Sequence, residues 1–187
     1  MQRTVVFPRS GGKSVRTVGS SYPGSDCTGA LHRGHWATEA GEDDGMPDAM
    51  REYLARCHCG ALTARFRTAV PTSKWAVRAC PCHFCRAHGA LTVSDPAGVL
   101  IFAAEPLGAL HRYQFETSSA DFLLCRECGV YLGARIQTEN GRFGMLNTRT
   151  LRPVPGNLPA PNSIDYSAET AEARQTRREA RWTPLGL

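Results

Sequence analysis

The sequence predicts a small, mainly β domain, and three observations support this fold class. Seven of the eight cysteines lie in three short clusters between residues 57 and 128. Short runs of strand-forming residues, separated by Gly, Pro, Asp, Ser or Asn, occupy the same region. The 187 residues leave room for one domain with flanking segments. We therefore expect an antiparallel β-sheet domain over residues 50–165, held together by metal-bound cysteines.

The first 49 residues lack the hydrophobic periodicity of a helix or a strand. They contain eight glycines and an acidic stretch between Glu39 and Asp48. Such a composition is typical of disordered segments. We therefore expect a disordered leader over residues 1–49 and a folded protein that begins at Met50, with the leader as an extension of the coding start.

Alternating apolar and polar residues predict the strands of the domain. From Leu62 to Arg67 every second residue is apolar, which suits a strand with one buried face. Short runs bounded by turn residues predict further strands over residues 75–79, 90–94, 99–103, 110–115, 122–124, 130–136 and 143–146. Many short strands at this spacing indicate a mainly antiparallel sheet.

The chain changes character after these strands. Four prolines exclude regular structure over the next segment: Pro153, Pro155, Pro159 and Pro161. Residues 166–187 are then expected to form a helical tail, with a helix from Ala168 to Arg181 that Ser167 caps. Four arginines fall between residues 174 and 181, but neighbouring glutamates dilute their charge. The tail therefore does not favour nucleic acid as a partner.

The sequence contains neither a run of apolar residues long enough to span a membrane nor the pattern of a signal peptide. This predicts a cytoplasmic protein with no membrane partner. Cysteines in a reducing compartment favour metal ligation or thiol chemistry over disulfides, particularly when they lie one or two residues apart. The net charge of +5 adds no further constraint on the class of protein.

The three cysteine clusters have the spacing of metal ligands. They are Cys57-x-Cys59-Gly60, Cys80-x-Cys82-x-x-Cys85 and Cys125-x-x-Cys128-Gly129. Two thiolates one or two residues apart on a tight turn can bind one zinc ion, each at about 2.3 Å. The glycines after the outer pairs can adopt a positive φ, which such turns require.

Seven cysteines divide into four and three. The two outer pairs are the natural ligands of a closed zinc site, and the central cluster is the natural candidate for an open site with three ligands. The spacing leaves other pairings open. It also leaves open a structural role for both sites with His83 or His88 as a fourth ligand, a thiol–disulfide pair, and an iron–sulfur cluster.

The order of these motifs is similar to that of a known family. The matching segments are Cys57-His58-Cys59-Gly60, Cys80-Pro81-Cys82-His83-Phe84-Cys85-Arg86 with Gly89 just after, and Phe122-Leu123-Leu124-Cys125-Arg126-Glu127-Cys128-Gly129. The chain resembles the glutathione-dependent formaldehyde-activating enzymes, a family that includes the centromere protein V-like proteins. The likeness covers residues 53–150, so the leader and the proline-rich segment lie outside it.

The resemblance implies a zinc-bound β fold of the Mss4-like kind with two zinc ions per chain. It makes Cys57, Cys59, Cys125 and Cys128 the ligands of a structural zinc. Cys80, Cys82 and Cys85 become the ligands of a catalytic zinc. The implied activity is that of a carbon–sulfur lyase, which joins glutathione and formaldehyde as S-hydroxymethylglutathione. A neighbouring arginine, such as Arg86 or Arg126, could hold a carboxylate of glutathione, but an exposed structural role is favoured for each, and the sequence assigns no glutathione-binding residue.

Two other classes of function fit the same cysteines. The first is a non-catalytic, zinc-stabilised module that binds nucleic acid or protein, because the metal framework does not determine a reaction. The second is a thiol redox or metal-buffering protein, which would release zinc reversibly under mild oxidation.

Overall fold

The computed structural model describes residues 49–186, so the predicted disorder of the leader lies outside the described residues except at Ala49. The described chain forms the strands β1 (Arg51–Arg56), β2 (Leu62–Thr68), β3 (Arg78–Ala79), β4 (Thr92–Val93), β5 (Val99–Ala104), β6 (Leu110–Tyr113), β7 (Asp121–Cys125), β8 (Tyr131–Thr138), β9 (Gly141–Asn147), β10 (Asn162–Ser163) and β11 (Thr183–Pro184). The α-helices are α1 (His83–Ala87) and α2 (Ala171–Arg181), and 3-10 helices cover Thr72–Lys74, Leu107–Ala109 and Thr148–Thr150.

The first sheet contains β1, β2 and β5, in the order β1-β2-β5, and all its pairs are antiparallel. Strand β2 alternates along its whole length: Leu62, Ala64, Phe66 and Thr68 are buried, and the residues between them are exposed. This confirms the strand with one buried face that the sequence predicts at this position.

The second sheet follows the order β10-β3-β4-β9-β8-β7-β6, and β11 also pairs with β9. Only the short pair of β10 and β3 is parallel among the described strands. The predicted fold class, a mainly β domain of antiparallel strands, is therefore confirmed. Among residues 49–186, no helix has the length and apolar character needed to cross a membrane.

The main hydrophobic core contains side chains from both sheets. Phe66 and Leu100 come from the first sheet, whereas Leu132 and Leu146 come from the second, and all four are buried. Each such side chain contributes roughly 1.5–3 kcal/mol through its burial. The core therefore joins the two sheets into one folded unit.

A second apolar cluster lies beside helix α1. Its buried members include Cys85, Phe122, Tyr131 and Trp182, and Phe84 packs against them. The rings of Phe84 and Tyr131 meet edge to face, with their centroids 5.1 Å apart. This packing fixes a five-residue helix that is too short to be stable by itself.

Two predicted strands are shorter than the sequence indicates. The segment 75–79 keeps only Arg78–Ala79, because Trp75 follows a 3-10 helix and its indole nitrogen donates to the carbonyl oxygen of Val70 at 3.0 Å. The segment 90–94 keeps only Thr92–Val93, because the backbone N–H of Leu91 donates to the side chain of Asn147. The other predicted strands are present within a few residues of their expected bounds.

The predicted start of the C-terminal helix is wrong by three residues. Helix α2 begins at Ala171, because the hydroxyl of Thr170 caps it by accepting a hydrogen bond from the backbone N–H of Ala173 at 3.2 Å. Ser167, the expected cap, instead lies in a turn where its N–H donates to Asp165 Oδ1 at 2.9 Å.

The chain after α2 returns to the second sheet. Trp182 and Thr183 are buried, and β11 pairs with β9 through Thr183 and Gly144. The predicted helical tail therefore also contains a strand that the sequence did not indicate. As a result, one face of α2 is held close to helix α1 and its cysteines, where both elements line a common cavity.

Candidate metal centres

Four cysteines meet where the connections of two hairpins come together. Cys57 and Cys59 lie between β1 and β2 of the first sheet, whereas Cys125 ends β7 and Cys128 lies between β7 and β8 of the second. The four sulfur atoms all lie within 4.8 Å of one another. A metal bound here would therefore connect the two sheets directly.

The two connections have nearly the same backbone geometry. The N–H of Cys57 donates to the carbonyl oxygen of Leu62 at 2.9 Å, and the N–H of Cys125 donates to that of Val130 at 3.0 Å. Gly60 and Gly129 have positive φ values of 88° and 72°. These values confirm the turn conformation that the glycines predict, and glycine adopts it with the least strain.

The spacing of the sulfur atoms tests whether these residues fit a zinc ion. Cys59 Sγ lies 3.6 Å from Cys57 Sγ and 3.5 Å from Cys125 Sγ. A disulfide would require about 2.0 Å, whereas a zinc tetrahedron with bonds of about 2.3 Å places its sulfurs about 3.8 Å apart. The backbone N–H of Leu62 also donates to Cys57 Sγ at 3.2 Å, as suits a thiolate ligand. The four residues therefore fit a closed tetrahedral site.

The central cluster has a different construction. Cys80 and Cys82 precede helix α1, and Cys85 lies inside it and is buried. Cys82 is the N-cap of the helix, and its sulfur accepts a hydrogen bond from the backbone N–H of Cys85 at 3.4 Å. The three sulfur atoms lie within 4.8 Å of one another. One short segment of chain therefore supplies all three ligand atoms.

No fourth ligand joins this cluster from the part of the chain that the structure describes. His83 is exposed on the outside of α1. The ring of His88 packs against Phe84, with their centroids 4.4 Å apart. Neither histidine therefore supports the alternative of a closed site with an imidazole ligand, and the geometry is compatible with an open three-thiolate site.

The three cysteines line a cavity of about 350 Å³. Its apolar wall includes Phe122, Met145 and Trp182. Four arginines also line the cavity and give it positive charge: Arg78, Arg174, Arg177 and Arg178. A cavity of this size, mostly apolar and with a few convergent polar groups, is typical of a small-molecule site.

The three thiols of the central cluster differ in their pKa values. A hydrogen bond from the thiol of Cys85 lowers the pKa of Cys80 to about 6, against the effect of burial. The same contact, together with burial, raises the pKa of Cys85. Burial raises the pKa of Cys82 as well. In the metal-free protein at neutral pH, one thiolate is therefore stabilised by two protonated neighbours.

Tyr131 lies behind this cluster and was not indicated by the sequence. Its hydroxyl is buried and has no hydrogen-bond partner among the described residues. Burial raises its pKa, and negative charge on Cys85 and its neighbours raises it further. The phenol therefore stays protonated at neutral pH.

The fold places other arginines at the cavity than the two candidates that the sequence offered. Arg86 is exposed, and Arg126 donates to the carbonyl oxygen of Leu110 at 3.3 Å; neither lines the cavity. Arg174, Arg177 and Arg178 take this position from helix α2. Their spacing of three and four residues places them on one helical face, which was the available signal for a common role.

No protein-family model matches the chain, and no curated protein matches it. A crystal structure of a Rhodobacter sphaeroides protein, determined as a structural genomics target, is similar with 27% sequence identity and a TM-score of 0.45. The match covers 59% of this chain and 99% of that one. The resemblance to the formaldehyde-activating enzymes therefore stays a prediction.

Proposed function

We propose that the protein is a zinc-dependent carbon–sulfur lyase that forms or cleaves the adduct of an aldehyde with a thiol such as glutathione. The observation that carries this proposal is the contrast between the clusters. Four cysteines complete one tetrahedron, whereas three cysteines leave a ligand position beside a cavity of about 350 Å³. The motif resemblance and the antiparallel sheets further support a member of this family with an Mss4-like fold.

In this proposal Cys80, Cys82 and Cys85 hold the catalytic zinc. Zinc bound there supplies a positive charge that stabilises a thiolate or polarises a carbonyl oxygen. The substrate sulfur attacks the aldehyde carbon, a carbon–sulfur bond forms, and the carbonyl π bond breaks. The oxygen then takes up the proton that the thiol released. The apolar wall of the cavity limits the access of water to this exchange.

The positive charges around the cavity offset the net negative charge of the three-thiolate zinc site. Three thiolates on a divalent ion leave a net charge of −1 (+2 − 3), which opposes the binding of another thiolate. Arg78 and Arg178 line the same cavity. Their positive charges offset the negative site and attract the anionic form of the substrate thiol.

Nucleic-acid binding gains no support from the packing of helix α2. That alternative depends on the arginines between Arg174 and Arg181, yet three of the four line the cavity. Arg174 pairs with Glu116 at 3.0 Å, and Arg177 pairs with Glu169 at 2.6 Å. Less free positive charge is therefore exposed to a polyanion than the sequence suggests.

The test is the exchange between glutathione plus formaldehyde and their adduct, followed by NMR on the zinc-loaded protein. We expect the wild-type protein to accelerate exchange and Cys82→Ser to abolish the acceleration while the circular dichroism spectrum is retained. Exchange at the uncatalysed rate with fully metallated wild-type protein would contradict the proposal. The seven described cysteines are free thiols, which fits the proposed cytoplasmic location.

A further inference from the structure

The four arginines that line the cavity differ in how their charges are balanced. Arg174 pairs with Glu116, and both Nε and Nη2 of Arg177 donate to the carboxylate of Glu169 at 2.6 and 2.8 Å. Arg78 and Arg178 form no ion pair with any carboxylate in the described part of the chain. Two guanidinium groups without a direct ion pair therefore line one small cavity.

Arg178 is more deeply buried than Arg78. Only 9% of its surface is exposed, and its guanidinium lies 5.2 Å from the ring centroid of Trp182. Nη1 donates to the carbonyl oxygen and the hydroxyl of Ser119 at 3.3 and 2.7 Å. Its Nε is buried and has no hydrogen-bond partner among residues 49–186. A buried charged donor without a partner is costly, so its presence indicates a missing acceptor.

Arg78 is held by a neutral partner. Nη2 donates to the hydroxyl of Ser94 at 2.7 Å, and that hydroxyl in turn donates to the backbone oxygen of Arg181 at 2.7 Å. This bond holds the side chain in place but supplies no negative charge. Arg78 also lies two residues before Cys80, so its strand leads directly into the three-cysteine cluster.

The electrostatics agree with this arrangement. Burial, followed by the charges of Arg177 and Arg174, lowers the pKa of Arg178 to about 10. Arginine side chains stay charged at neutral pH, and removing a charge from water is unfavourable unless an opposite charge compensates for it. A bound anion would therefore stabilise both side chains.

We propose that the cavity binds an organic anion whose carboxylate is held by Arg78 and Arg178, with its apolar part against Trp182 and Met145. The planar guanidinium group matches a carboxylate through paired N–H donors. The inference rests on the proposed function in placing the thiol end of this ligand at the three-cysteine cluster. The anion site itself is measurable without turnover.

The size and composition of the cavity favour a small organic carboxylate over a polyanion. About 350 Å³ is near the lower end of the range for small-molecule sites, roughly 300–1,000 Å³. Glu116 and Asp165 also line it, and their charges would repel an extended polyanion. Both arginines and the aromatic wall line this one cavity, which suits a small ligand with an anionic end and an apolar part.

The test is a calorimetric titration of the zinc-loaded full-length protein with two matched probes, glutathione and glutathione diethyl ester. The ester lacks both carboxylate charges. We expect the wild-type protein to bind glutathione roughly 10- to 100-fold more tightly than the ester, as for the loss of hydrogen bonds to a charged group. Equal affinities, or no binding of glutathione by the wild-type protein, would overturn the proposal.

Variants then assign the effect to the arginines. Arg178→Gln and Arg78→Gln should each weaken glutathione binding roughly 10- to 100-fold and leave ester binding unchanged. Arg178→Lys, which keeps the charge if Arg178→Gln does not fold, should lie between the wild type and Arg178→Gln. Arg181→Gln is the matched control, because Arg181 lies on the same helix, is exposed and does not line the cavity. An equal loss for both probes in the Arg78 and Arg178 variants would contradict the proposal.

Exchange measured on the same samples separates this inference from the proposed function. Accelerated exchange with equal affinity for both probes would retain the lyase and refute the carboxylate site. Carboxylate-dependent binding without acceleration would retain the site and refute the lyase.

Discussion

The two cysteine clusters use the same ligand atom in opposite ways. The four-cysteine cluster takes its ligands from connections 66 residues apart, one in each sheet. The three-cysteine cluster takes all of its ligands from residues 80–85, between two strands of the same sheet. The first therefore joins distant parts of the fold, whereas the second presents a local group to a cavity.

This difference predicts separate physical roles for the metal ions that the two clusters could hold. Structural zinc contributes about 10–16 kcal/mol to the folding of finger peptides, which matches the whole stability of a typical domain, about 5–15 kcal/mol. Loss of the four-cysteine site would also remove a direct link between the two sheets. The three-cysteine site lies outside the main core and within one sheet, so we expect its loss to leave the pairing of the strands and the main core in place.

The largest expected effect comes from removing one ligand of each cluster in turn. Cys125→Ser should abolish cooperative folding, because it opens the site that joins the sheets and leaves a buried polar group in the core. Cys82→Ser should retain a cooperative transition. Thermal unfolding followed by circular dichroism measures both. Similar destabilisation of the two variants would remove the distinction between the clusters.

A chelator should remove metal from the two clusters one after the other. The three-cysteine site has fewer ligands and lies beside a cavity, so a chelator should empty it first. We expect exchange activity to disappear at chelator concentrations that leave the fold intact, with unfolding only at higher concentrations. Zinc release and circular dichroism, followed together, measure this. A single simultaneous transition would show that both metals support the fold.

Zinc affinity at the three-cysteine site should depend steeply on pH. The pKa values of Cys82 and Cys85 are raised, so zinc must displace both of their protons at neutral pH, whereas the pKa of Cys80 is about 6 and its proton is already lost. Affinity should therefore fall about 100-fold per pH unit between pH 8 and 7, and more steeply below pH 6. Competition with a chromophoric chelator, on protein that keeps the four-cysteine site, measures the zinc affinity at each pH. A zinc affinity that does not change with pH would contradict the protonation states inferred for the three cysteines.

The smallest effect tests the turn at the closed site. Gly129 has a φ of 72°, and a Cβ there would meet no atom within 4 Å, so Gly129→Ala should cost about 1–2 kcal/mol through backbone strain alone. Gly108 also has open space but no positive φ, which makes Gly108→Ala the matched control with little expected change. Chemical denaturation of the zinc-loaded variants measures the difference. Equal stability of the two variants would contradict the role of the turn.

The parts of the fold that the sequence predicted share a strong local pattern. Strand β2 alternates along its full length, and the glycines of the cysteine turns follow their cysteines directly. Strand β1 has a weaker pattern of partly buried residues, helix α1 has only five residues, and β11 contains Pro184. Their structure depends on tertiary packing, which local periodicity does not record.

The same distinction applies to the site. The spacing predicted that each short cluster binds one metal, and it favoured the grouping of four and three cysteines but left other pairings open; the fold brings the two outer pairs together. The arginines of the cavity were not, because helix α2 reaches the cysteines from about 90 residues further along the chain, through packing that includes the buried Trp182. Before the fold was known, Arg178 was indistinguishable from a solvated residue of a charged helix.

The most direct test of two clusters with different roles is the zinc content per folded chain, measured by native mass spectrometry on the wild-type protein and Cys82→Ser. We predict two zinc ions in the wild type, and one in Cys82→Ser with an unchanged charge-state distribution, because the closed site holds its metal independently. A single zinc ion in the wild-type protein, or an unfolded Cys82→Ser, would contradict the account.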